Sequence, residues 1–157
     1  MPNTYSQIYI QVVFATKGRE TLIEDKNRQE IEKYITGILT NKGQKLIAIY
    51  ANPDHLHLFF SYKNLKITIP ELVKIIKSES TKFINDKRLS FVKFAWQESY
   101  GAFSYAKSQK DAVTQYILNQ KNHHQKRSFR EEYLDFLEKF DINYDEKYLF
   151  EFYDKLE

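Results

Sequence analysis

At 157 residues with 42% hydrophobic content, the chain has the size of one domain with a full core, and its lack of cysteine excludes a disulfide framework and thiolate chemistry. No apolar run reaches the roughly 18 to 20 residues of a membrane span, because Gln7, Gln11 and Thr16 interrupt the most hydrophobic early segment. With no leader-like start, a soluble cytoplasmic protein is expected. The net charge of +3 is unevenly spread: residues 1–124 carry 18 Lys+Arg against 11 Asp+Glu, whereas residues 125–157 carry 6 against 10. A basic body suits a polyanion partner, and a solvated surface with an acidic C-terminal helix accounts for the same charges.

In chain order, "YSQIYIQVVFAT" alternates and is rich in β-branched and aromatic residues, which predicts a strand over residues 5–16. Residues 25–42 place Ile31, Tyr34, Ile35, Ile38 and Leu39 at helical spacing, with "NKG" as a stop. "QKLIAIYA" and "HLHLFFSY", joined through "NPD", form a hairpin over residues 44–62. A second helix spans about 68–87. Thr68 is its N-cap, Pro70 lies in its first turn, Leu72, Val73, Ile76 and Phe83 share one face, and Lys74, Lys77 and Lys82 share another. Residues 91–106 are aromatic and polar by turns and give one or two short strands or an ordered loop. Ser108, three residues before Asp111, looks like the start of a capping box for a helix reaching His124. Residues 130–140 form a further helical stretch, followed by an aromatic-rich end.

A small sheet with helices on one face buries this order of elements, so the expected fold is α+β, a ferredoxin-like sandwich with an antiparallel sheet. Such folds host many functions, and the site must carry the rest. Side chains two apart on a strand share a face, so His55 and His57 project together, roughly 7 Å apart at the backbone, while Leu56 and Leu58 fill the other face. Two imidazoles can converge on one ion this way, although a lone His-x-His is also what a pair of half-buried structural histidines looks like. Tyr116 and Gln120, four apart, would stack on one face of the later helix. In a chain with 12 Tyr and 12 Phe, a tyrosine there is equally a core aromatic.

Taken together, the strand His-hydrophobic-His in "NPDHLHLFF", the following helix, "WQESYGAFS" and "YILNQ" resemble the single-tyrosine HUH transposases of simple bacterial insertion sequences. Related repeat-associated tyrosine transposases share this layout. The resemblance spans roughly residues 3–124, implying a catalytic domain over 1–124 with 125–157 as an acidic, mainly helical extension of the same domain. It implies that His55 and His57 bind a divalent metal, Mg²⁺ or Mn²⁺, with Gln120 as third ligand, and that Tyr116, on a C-terminal helix, is the nucleophile. Asn52, where the family often has methionine, touches no role in that assignment. The implied reaction cleaves and rejoins single-stranded, hairpin-containing DNA at mobile-element ends through a 5′-phosphotyrosine. A homodimer is implied too, with the tyrosine helix able to dock on the partner's histidines. His123 and His124 could assist a metal or phosphate, but as residues at the end of a helix they are expected to be exposed and to favour the negative end of its dipole.

Two other functions fit parts of the pattern. A catalytically inactive or domesticated ferredoxin-like module would hold single-stranded nucleic acid on its sheet and cut nothing. A metal-dependent hydrolase would use His55 and His57 with Tyr116 as bystander, releasing a free 5′-phosphate and no adduct.

Overall fold

The computed structural model describes residues 4–124 and 126–153. Its backbone runs β1 (Tyr9–Ala15), α1 (Asp25–Asn41), β2 (Lys45–Ala51), β3 (His55–Ser61), α2 (Ile69–Asp86), β4 (Gly101–Tyr105), α3 (Lys110–Leu118), α4 (Gln120–His124) and α5 (Phe129–Lys139). The four strands form one antiparallel sheet in the order β2-β3-β1-β4, the arrangement of the expected ferredoxin-like α+β fold. No helix among the described residues is long and apolar enough to cross a membrane.

The two central strands are buried along almost their whole length, which is why β1 and β3 carry so many large apolar residues. Leu56, Leu58 and Phe60 of β3 join Val12 and Phe14 of β1 in one core with Ile31, Ile35 and Leu39 of α1 and Leu72, Val73 and Ile76 of α2. Burying each of these side chains is worth about 1.5–3 kcal/mol, so this face anchors the fold. β3's other residues, His55, His57 and Phe59, necessarily face the opposite way, and Phe59 packs with Tyr9, Ala48 and Ile117 of α3. Thr68 caps α2 as expected, accepting from the Glu71 amide at 3.2 Å, and Pro70 sits in its first turn.

Several elements differ from expectation for local reasons. β1 begins only at Tyr9, where β3 and β4 become available as partners. Residues 91–106 resolve into the single strand β4 plus a bridge between Thr16 and Trp96, whose indole donates to Ser80 Oγ at 2.9 Å. Lys77 is half-buried instead of displayed: its ammonium donates to the carbonyls of Gln97, Glu98 and Ser99 at 2.7, 3.0 and 2.8 Å and so fixes that loop. Ser108 caps nothing; a 3₁₀ turn at Lys107–Gln109 precedes α3, and Gln109 Oε1 accepts from the Ala106 amide at 2.9 Å. The expected single helix to His124 is broken at Asn119 into α3 and α4.

With α1 and α2 on one face of the sheet, the extension packs α5 over the other. Phe129, Tyr133 and Leu137 are buried, and Phe136 stacks on Phe103 of β4 at 5.3 Å. The chain then returns along the body: Phe150 packs on Tyr133 at 4.9 Å, and Gln97 exchanges two hydrogen bonds with the Glu151 backbone. Gly101 marks how closely α5 approaches, since a Cβ there would lie 2.6 Å from the Tyr133 hydroxyl. Gly101→Ala is therefore expected to destabilise the protein by about 1–3 kcal/mol in urea unfolding, and an unchanged midpoint would contradict this packing of α5.

Candidate active site

The two-residue period of β3 turns both histidines onto the face that α3, α4 and α5 cover. Both are fully buried, with ring centroids 5.1 Å apart. Each is oriented from behind. Asp54 Oδ1 lies 2.7 Å from His55 Nδ1, and Gln11 Nε2 lies 2.8 Å from His57 Nδ1. The Tyr105 hydroxyl donates to Gln11 Oε1 at 2.7 Å, so the Gln11 amide nitrogen faces His57 and donates to Nδ1. His57 then carries its proton on Nε2, which donates to Glu132 at 2.9 Å. For Nε2 to offer a lone pair to a cation, that proton must move to Nδ1, and Gln11 must turn its amide oxygen toward the ring.

Tyr116, on α3, sits with its ring 6.3 Å from that of His57 in the same chain. Its hydroxyl donates to Glu132 Oε2 and accepts from Arg127 at 3.2 Å. Gln120 is fully buried: its Oε1 accepts from Asn52 at 3.1 Å and from His124 at 3.0 Å, while its Nε2 donates to Glu132 Oε2 at 3.2 Å. One chain thus brings together all four residues singled out in the sequence. In this arrangement the Gln120 oxygen is engaged by Asn52 and His124, and its nitrogen by Glu132.

Five further residues belong to the cluster and were not assigned from sequence. Asn52, set aside as uninvolved, is buried between Gln120 and His55. His124 is not an exposed helix-end residue: its ring meets His55 at 4.7 Å, and its Nε2 reaches Glu132 at 3.3 Å. His123 stacks on the Tyr116 ring at 4.4 Å. Glu132 and Arg127 both come from the extension. No local pattern marks Glu132, which lies in the acidic first turn of α5 and looks from sequence like a solvated helix-start carboxylate.

Glu132 is the electrostatic centre. Burial alone would raise its pKa, but the surrounding imidazoles hold it far below the usual carboxylate range. Burial likewise opposes charging His55, yet hydrogen bonds to Asp54 and Glu132 win and raise it to about 9. His55 Nε2 lies 3.2 Å from Asn52 Nδ2 and 3.3 Å from Glu132 Oε1, so it can accept from the amide when neutral or donate to the carboxylate when charged. Burial lowers His57, against the pull of Glu132. Burial and the Glu132 charge push the Tyr116 phenol up, and Arg127 opposes them.

His55, His57, His124 and Glu132 each offer a ligand atom within 4.8 Å of the others. Imidazole nitrogens with a carboxylate and an amide oxygen are a chemically suitable donor set for a divalent cation. A cleft of about 380 Å³ opens beside Tyr116, lined by Tyr105, Gln109, Val113, Arg127 and Lys139 among others. The larger cleft between α2 and residues 95–100, about 470 Å³, contains none of these side chains.

The sequence model of the family described as "Transposase IS200 like" matches residues 4–120. No curated protein matches. Among solved structures, a candidate transposase from Deinococcus radiodurans is similar at 23% identity and a TM-score of 0.60, covering 76% of this chain and 95% of that one. A REP-associated tyrosine transposase bound to a REP hairpin is similar at 13% identity and a TM-score of 0.59, covering 79% of this chain and 73% of that one. Both share the fold.

A cation at this cluster needs the His55 lone pair, and with a metal-free pKa of about 9 that nitrogen is mostly protonated at neutral pH. Mn²⁺ affinity is therefore expected to rise with pH, by about tenfold per unit until about pH 9, as one proton is displaced. Calorimetric titrations across this range check it, and a pH-independent affinity would contradict the assignment.

Proposed function

Because the chain belongs to the IS200-like transposase family, we propose that it cleaves and rejoins single-stranded DNA at the ends of a mobile element, with Tyr116 as nucleophile and His55, His57 and Gln120 holding a divalent cation. The observation that carries this reading is the Tyr116 hydroxyl, hydrogen-bonded to both Glu132 and Arg127 beside the buried histidine pair. A packing tyrosine needs one partner for its hydroxyl, whereas this one is met by both a carboxylate and a guanidinium beside the histidine pair. The hydrolase alternative, with Tyr116 as bystander, leaves that arrangement unexplained.

Tyr116 Oη, oriented by its hydrogen bond to Glu132 Oε2, attacks the scissile phosphorus and gives up its proton to water, which also supplies the proton taken up by the departing 3′ oxygen. The P–O3′ bond breaks, the 3′ oxygen takes up a proton and leaves as a free 3′-OH, and the 5′ phosphate stays on the tyrosine. Because the phenol is pushed up, its proton leaves only as the Oη–P bond forms, and Arg127 steadies the charge that develops on the oxygen. A Mg²⁺ or Mn²⁺ held by His55, His57 and Gln120 would supply Lewis-acid polarisation of the phosphate. The covalent bond conserves the phosphodiester, so a later 3′-OH can displace the tyrosine and rejoin strands without ATP. The cleft beside Tyr116, where Arg127 and Lys139 flank Asp135, gives a DNA strand access to the phenol. A hairpin-containing single strand is the substrate class this reading takes from the resemblance. In a homodimer, each protomer would carry a whole site.

Incubation with labelled single-stranded hairpin libraries and Mg²⁺ or Mn²⁺ is expected to give a covalent protein–DNA band that Tyr116→Phe abolishes. Cleavage with a free 5′ phosphate and no band would favour the hydrolase, and binding without cleavage over a broad library would favour a nucleic-acid-binding module.

A further inference from the structure

Glu132 lies beyond the family match, which ends at residue 120, yet it touches more of the candidate active site than any residue inside the match. We infer that Glu132 is itself a ligand of the divalent cation, so that the C-terminal extension is a working part of the metal centre; this rests on the reading of His55 and His57 as metal ligands.

The spacing of the donor atoms is the first argument. Glu132 Oε1 lies 2.9 Å from His57 Nε2 and 3.3 Å from Nε2 of both His55 and His124. Ligands about 2.1 Å from a common ion, at right angles to each other, stand about 3 Å apart. The carboxylate is thus already at the separation that ligands sharing one cation keep.

Charge is the second. His55 and His57 as metal ligands, and Gln120, are neutral donors, whereas Mg²⁺ and Mn²⁺ favour anionic oxygen. Asp54 stands behind His55, against Nδ1, while Glu132 stands in front, on the Nε2 side. A carboxylate with no exposed surface needs positive charge beside it, and a divalent cation supplies that without requiring a protonated imidazole.

The third is the division of labour between the two oxygens. Oε1 faces the imidazoles, and Oε2 faces the Tyr116 hydroxyl and the Gln120 amide. One side chain therefore spans the metal position and the nucleophile, fixing each relative to the other. α5 holds it firmly. Ser128 caps the helix at the Glu131 amide, Phe129 stacks flat on the His55 ring at 3.8 Å, and Phe136 lies 6.0 Å from His57.

Mn²⁺ binding to the full chain, followed by the loss of the free-ion paramagnetic resonance signal, tests this without any DNA. Wild type is expected to bind the ion, and His55→Ala/His57→Ala to lose it. Glu132→Gln, of the same shape, is expected to weaken binding at least about tenfold. Glu132→Asp, which keeps the charge but withdraws it by one methylene, should fall between and serves if the amide variant does not fold. Unchanged or tighter binding in the Glu132 variants overturns the inference, because the carboxylate would then be a placeholder that the ion displaces. Failure of wild type to bind, or binding that survives loss of both histidines, overturns the metal reading itself and the inference with it.

Discussion

A carboxylate with no exposed surface, set among three imidazoles and a phenol, is the interaction on which this structure turns. Such a group is costly unless every lone pair is engaged, and removing one partner of a buried charged set typically costs about 3–5 kcal/mol. Glu132 meets that condition because its oxygens divide between the imidazoles on one side and the Tyr116 hydroxyl and Gln120 amide on the other. The same contacts that let it be buried draw Tyr116, Gln120 and the histidines into one cluster. Stability and chemistry are therefore coupled through a single side chain from a segment outside the family match.

The rest of the fold serves to bring that carboxylate to the histidines. β3 sits between β2 and β1, buried on both faces, so its alternation has no solvent side and sends His55 and His57 inward as surely as it sends Leu56 and Leu58. α1 and α2 close one face with an apolar core. The other face is left to polar side chains that must satisfy one another, and α3, α4 and α5 complete it. Gln11 and Asp54 fix the rear nitrogens of the two rings, which leaves both Nε2 atoms facing the site. Breaking the helix at Asn119 starts α4 at Gln120, where the side chain is buried beside Asn52 and His124.

Much of this was legible in the sequence, because it is written in short-range patterns. The alternation of β3, the periodicity of α1 and α2, and the His-x-His and "YILNQ" motifs all lie within windows of a dozen residues. Glu132 is different in kind. Its role depends on a helix packing back over the sheet across 75 residues from His57, and in sequence it is one acid in an acidic stretch. Asn52 and Gln11 were missed because the contacts that tie them to Gln120 and His57 come from the tertiary fold, and His124 was expected to be exposed because its approach to His55 and Glu132 does too. Lys77 misled in the opposite direction, since helical spacing places it among exposed lysines, whereas three loop carbonyls draw its ammonium inward.

The central claim is that one chain assembles nucleophile, histidine pair and extension carboxylate around a single cation. Diffraction at the manganese absorption edge from crystals soaked in Mn²⁺ tests it most directly. The account predicts one anomalous peak within bonding distance of Nε2 of His55 and His57 and of Glu132, with Tyr116 of the same chain beside it. A peak at the histidines with Glu132 swung away, or no peak while Glu132 keeps its imidazole contacts, would contradict it.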